Sequence, residues 1–107
     1  MARSQFVIPF TASFEETNQK IESILKENGF FLKDYHGETV WKKGTGAMTA
    51  MQYIKLEYGQ GSVTLYGWVQ AGLGDVGGKE MDLKGFFGAM PKQSLLKVIK
   101  KIQAAVS

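Results

Sequence analysis

From Gln5 to Phe10 the chain alternates, with Phe6, Ile8 and Phe10 set between Gln5, Val7 and Pro9. That period of two marks a strand. Pro9 has no N–H to give a ladder, so the strand is expected at a sheet edge or ending in a bulge. The period then lengthens. Phe14, Thr17, Ile21, Ile24, Leu25 and Asn28 recur at helical spacing, while Glu15, Glu22, Lys26 and Glu27 turn away. Ser13 and Glu16 stand at the two ends of a capping box, and Gly29 sits where a left-handed residue closes a helix.

Period two returns after Gly29. Phe30 to Tyr35 and Glu38 to Lys43 are rich in aromatic and β-branched residues and flank His36-Gly37, which predicts a hairpin with a tight turn. Met51 to Tyr58 and Ser62 to Gln70 predict a second hairpin around Gly59-Gln60-Gly61, with Gly44 to Ala47 as the connection between the two. Gln52, Ile54, Leu56 and Tyr58 share one face with Val63, Leu65, Gly67 and Val69, and this aliphatic face is expected to meet the helices. The stretch Gly37–Gln70 holds both tryptophans and three of the four tyrosines, so it is expected at the centre of the sheet.

Residues 71–89 hold six of the thirteen glycines and read as loop, with a short strand at Lys79 to Leu83. Pro91 suits the first turn of a last helix, to which Leu95, Val98, Ile99, Ile102 and Ala105 give an apolar stripe. The expected fold is therefore α+β in a single domain spanning 1–107. It has an antiparallel sheet of four to five strands with two helices on one face, in the order β-α-β-β-β-β-(β)-α. That order is similar to TATA-binding-protein-type folds and to a trimmed helix-grip fold, analogies that carry little functional weight.

Composition narrows the classes further. Cysteine is absent, which removes a disulfide framework, a thiolate nucleophile and a cysteine zinc site. No apolar run reaches the roughly 18–20 residues a membrane helix needs, and the N-terminal stretch lacks the long apolar segment of a signal peptide. A cytoplasmic location is expected by default. After Asp82 there is no acidic residue, and Lys84, Lys92, Lys97, Lys100 and Lys101 follow. A basic terminal helix suits phosphate or a membrane surface, but a net charge of only +3 is also what a plain solvated face produces.

Candidate chemistry is sparse. Gly72-Leu73-Gly74-Asp75-Val76-Gly77 matches the dinucleotide-binding glycine pattern, yet Gly78 to Leu83 alternates like a strand where a helix is required. His36 is the only histidine, with Asp34 and Glu38 as its neighbours, and a turn histidine in solvent explains it better than a base or a metal ligand does. Glu80 and Asp82 imitate an acid pair at a spacing common on solvated strands. No catalytic residue, cofactor or metal is therefore expected, and the chain is read as not an enzyme.

The aromatic residues offer more. Tyr53, Tyr66 and Trp68, with Lys55 and with Tyr35 and Trp41 nearby, are expected mostly on the face opposite the aliphatics. If left open, that face suits a protein partner or self-association more than single-stranded nucleic acid. The reading is a non-catalytic binding or scaffolding module. Its alternative is a carrier of a small apolar ligand, with a pocket between sheet and last helix lined by Phe86, Phe87 and Met90.

The run His36-Gly37-Glu38-Thr39-Val40-Trp41-Lys42-Lys43-Gly44-Thr45-Gly46-Ala47-Met48-Thr49-Ala50 resembles the signature of a small bacterial domain family to which no activity is assigned. Tyr53-Ile54-Lys55, Leu65-Tyr66-Gly67-Trp68 and Gly85-Phe86-Phe87-Gly88-Ala89-Met90-Pro91-Lys92 extend the resemblance over nearly the whole chain. It implies no substrate, cofactor or functional residue. Relatives of that kind often add a zinc ribbon or membrane segment, patterns these residues do not contain. Gln70 to Gly77 is more glycine-rich than the resemblance leads one to expect.

Overall fold

A computed structural model describes residues 3–35, 37–43, 51–70, 80–81 and 89–106, with the backbone alone at 80–81 and 89–92. The elements are β1 (Ser4–Pro9), α1 (Phe14–Glu27), β2 (Phe31–Tyr35), β3 (Glu38–Lys43), β4 (Met51–Gly59), β5 (Ser62–Gln70), β6 (Glu80–Met81) and α2 (Ala89–Val106). This is the expected α+β order. All pairings are antiparallel, and the sheet runs β1-β5-β4-β3-β2, with the two-residue β6 also pairing β5. β1 therefore lies at one edge, as Pro9 requires, and β2 at the other.

Local chemistry sets the boundaries. Ser13 Oγ accepts the Glu16 N–H at 3.1 Å, which satisfies one of the orphan donors at the start of α1. The helix ends through Asn28 into Gly29 at φ 87°, a left-handed conformation that glycine adopts without a Cβ penalty. Phe30 N–H then donates to Leu25 O at 2.9 Å and turns the chain into β2. Tyr35 pairs with Glu38, leaving two residues for the turn, with Gly37 at φ 86°. The second hairpin is tighter than its three-residue glycine segment suggests. Gly59 pairs with Ser62 inside the ladder, so Gln60-Gly61 alone makes the turn. Two-residue loops match the twist of paired strands, and that takes Gly59 into the sheet.

The main core lies between the helices and one sheet face. Ile21 and Leu25 from α1 and Leu95, Ile99 and Ile102 from α2 join Ile54 and Leu65 in one buried cluster. Each such side chain, taken fully out of water, contributes roughly 1.5–3 kcal/mol before entropy is counted. Val63, Leu65 and Val69 join this helix-side cluster, as the expected parity of β5 requires. Both helices thus cover the aliphatic face, leaving the opposite face to be accounted for.

Candidate functional site

The face away from the helices carries Met51, Tyr53, Lys55 and Glu57 from β4 and Thr64, Tyr66, Trp68 and Gln70 from β5. In the ladder Tyr53 stands opposite Trp68 and Lys55 opposite Tyr66. Two of the expected open rings are closed off: Tyr53 and Trp68 are fully buried. They form a second cluster with Tyr35, Val40 and Met51, against which Tyr66 packs half-buried. Tyr53 stacks on Trp68 at 5.2 Å and 12°, and Tyr35 lies against both rings at 4.6 and 5.7 Å. The Tyr53 hydroxyl meets Gln70 Oε1 at 3.1 Å and Met51 Sδ at 3.4 Å.

Arg3 gives part of the physical reason for this burial. Its guanidinium carbon sits 3.7 Å from the centre of the Trp68 ring. The side chain then runs across the sheet to Glu38 on β3, pairing with both carboxylate oxygens at 3.1 and 2.9 Å. From the opposite side Lys55 Nζ donates to Glu38 Oε1 at 2.8 Å. The expectation of a wide aromatic docking surface is therefore corrected. Sequence patterning placed the rings on the right face, and one arginine near the N-terminus, 35 residues from its carboxylate partner, helps close them off.

Trp41 is corrected too. It lies opposite Ile54 and is buried in the helix-side core. Residues directly opposite in an antiparallel pair share a face, so its register puts it with the aliphatics and apart from Tyr53 and Trp68.

Above the sealed rings lies a polar depression of about 300 Å³ lined by Arg3, Gln5, Glu38, Lys55, Glu57 and Tyr66. Four strands contribute to it, counting Arg3 with β1. Glu38 is its electrostatic centre. The Arg3 hydrogen bonds and then that of Lys55 hold its carboxyl down at about 2, against the desolvation that works the other way. Such a carboxylate stays ionised at any physiological pH, and so weak a base is ill suited to proton transfer. Lys55 and Tyr66 thus belong to the site the sequence pointed to, whereas Arg3, Gln5, Glu38 and Glu57 were missed. A basic residue just ahead of an edge strand is a faint signal, legible only once β1 is known to pair β5.

The remaining candidates separate. Asp34 pairs with Thr39 and accepts the Gly37 N–H at 3.0 Å, whereas Glu38 projects to the other face, so the two carboxylates near His36 do not converge. His36, the glycine pattern of residues 72–77, Asp82, Phe86 and Phe87 lie outside the described residues, as do the side chains of Glu80 and Met90. Among the described residues no three His, Asp or Glu side chains are grouped as a metal site requires, and no helix is long and apolar enough to cross a membrane. Among the described residues depressions also lie beside the helices. An open groove of about 490 Å³ is bounded by Glu16, Gln19, Lys20, Ser23, Ile24 and Ala105. A smaller one of about 260 Å³ lies at Pro9, Phe10, Thr11 and Val106. The smaller one opens between Pro9 of β1 and Val106 in the last turn of α2, whereas earlier in α2 the described side chains of Leu95, Val98, Ile99 and Ile102 are buried in the main core.

No protein-family model, curated protein or solved structure matches the chain.

Proposed function

We propose that the chain is a non-catalytic binding module that docks a folded protein partner on the sheet face opposite the helices. The observation carrying this reading is the four-strand depression around Glu38, built on a layer of locked aromatic rings. A binding surface gains affinity when its contact groups are held in place beforehand, because less side-chain entropy is lost on association. Arg3, Glu38 and Lys55 are held in that way by their mutual ion pairs. Half-buried Tyr66 and exposed Val7 supply apolar contact beside them. The charge balance favours a protein surface over a polyanion: both cations already serve Glu38, and Glu57 adds a second carboxylate to the rim. The carrier reading rests on Phe86, Phe87 and Met90, whose side chains lie outside the described residues, while Leu95, Val98, Ile99 and Ile102 of α2 are buried in the main core.

A photo-reactive phenylalanine analogue placed at Tyr66 tests the proposal, with the same group at Lys100 on the outer face of α2 as control. A discrete, saturable adduct at position 66 is expected. Excess wild-type chain should compete it away, and excess Lys55→Glu chain should not. Identical adducts at both positions, or none at position 66, would overturn the reading.

A further inference from the structure

The two edges of the sheet are unlike. At one, β1 carries Pro9 and β5 also pairs β6, so that edge is blunted by a residue with no N–H. At the other, β2 (Phe31-Leu32-Lys33-Asp34-Tyr35) has neither proline nor bulge, and its register with β3 is unbroken. Phe31 is 52% and Leu32 56% exposed, two large apolar side chains in succession on an end strand and pointing to opposite faces. Exposed apolar end strands are templates for pairing, and native sheets usually guard them.

Backbone direction at this edge follows from the hairpin. Tyr35 and Glu38 close a two-residue turn and so form a hydrogen-bonded pair. By alternation Lys33 and Phe31 also bond toward β3, and Leu32 and Asp34 direct their N–H and C=O groups to the side on which no strand pairs among the described residues. We infer that β2 pairs antiparallel with β2 of a second copy of this chain, in the register that sets Leu32 opposite Leu32.

Three features select this occupant and register. Leu32 of each copy exchanges N–H···O=C bonds with Leu32 of the other, and Asp34 N–H of each donates to Phe30 O of the other, four bonds in all. The Phe30 N–H is not needed, which matters because Leu25 O already holds it. On the helix side the two exposed Leu32 side chains cover each other across the two-fold axis. On the far side Phe31 meets the aliphatic stem of Lys33 from the partner. The alternative register centred on Lys33 also makes four bonds, but it sets Lys33 directly opposite Lys33, and like charges in that position repel. A two-fold axis through Leu32 uses both open edges at once, so the assembly closes at two copies and the β1 edges stay outside. This pairing is independent of the docking face around Glu38.

The absence of cysteine makes the register directly testable, because one introduced thiol is the only one in the chain. Opposed Cα atoms in a hydrogen-bonded antiparallel pair lie about 5.5 Å apart, within reach of a disulfide or a short thiol cross-linker. Leu32→Cys, Lys33→Cys and Val7→Cys are compared under mild oxidation, Val7 being 63% exposed on the opposite edge. Leu32→Cys should be captured as a dimer fastest of the three. In parallel, sedimentation of the wild type from about ten micromolar to about one millimolar, the range suited to a small interface, should show monomer giving way to dimer and nothing larger. Leu32→Lys, which places two ammonium groups on the axis, should weaken that association at least about tenfold. Its circular dichroism should match the wild type, and Tyr66→Ala should leave the association unchanged. A wild type monomeric at every concentration would overturn the inference. So would faster capture at Lys33 or Val7, or dimerisation unaffected by Leu32→Lys.

Discussion

Replacing Arg3 by alanine tests whether one side chain seals the second cluster. The substitution removes two interactions together. The ion pair with Glu38 is bidentate, but Glu38 keeps 29% of its side chain in water, so the pair contributes about 0.5–1 kcal/mol. Glu38 also retains Lys55 and is not stranded as an unpaired charge. The guanidinium–indole contact at 3.7 Å is more sheltered, with only 8% of the Arg3 side chain exposed, and contributes about 1 kcal/mol. Together Arg3→Ala should cost about 2 kcal/mol. Converted at face value, the drop of the Glu38 carboxyl to about 2 corresponds to roughly 3 kcal/mol, but solvent screening at a part-exposed carboxylate brings this down toward 1. The sign in pH follows from the lowered value. Glu38 stabilises the fold fully above its ordinary pKa of 4.5, and that contribution is lost as the pH falls from there through about 2. The gap between wild type and Arg3→Ala should therefore narrow by about 0.5–1 kcal/mol between pH 6 and pH 2, leaving the cation–π part. Urea unfolding followed by fluorescence in a Trp41→Phe background, where Trp68 is the sole reporter, measures both effects. Acrylamide should quench Trp68 more strongly once Arg3 is gone. A loss under about 0.5 kcal/mol, the range of an ordinary surface change, with quenching unaltered, would refute the argument.

Three further outcomes follow from the packing. Ile54→Ala, under both helices at full burial, should cost roughly 3–4 kcal/mol by urea unfolding, whereas Leu32→Ala at low concentration should stay within about 0.5 kcal/mol of wild type. Gly37→Ala, at φ 86° with open space around a new Cβ, should cost about 1–2 kcal/mol through the backbone alone, and Gly37→Asn should recover much of that in thermal melts. Tyr53→Phe removes the hydroxyl between Gln70 and Met51 and should cost about 1–2 kcal/mol in chemical denaturation, since the buried Gln70 carbonyl loses a donor.

Most of the fold was legible in the residues. Ser13 and Gly29 mark the ends of α1 by cap chemistry, Gly37 and Gly61 mark turns by the positive φ they supply, and the period-two pattern of Ile54, Leu56, Val63 and Leu65 assigns the core face. Each is a local rule acting over a few residues. The partial failures are those where tertiary contacts intervene. Residue type groups Trp41 with the other rings, but strand pairing sets it opposite Ile54. Alternation puts Tyr53 and Trp68 on the correct face but does not show that they are closed off, with Arg3 lying over Trp68.

By itself the sequence determined the element order, the turns, the caps and which aliphatic residues face the helices, because periodicity and φ preferences are carried by near neighbours. Only the tertiary structure decided how open the second face is and where its charges gather. That outcome depends on the β1–β5 pairing and on Arg3 reaching Glu38 across two intervening strands, a contact between residues 35 apart that no local pattern encodes.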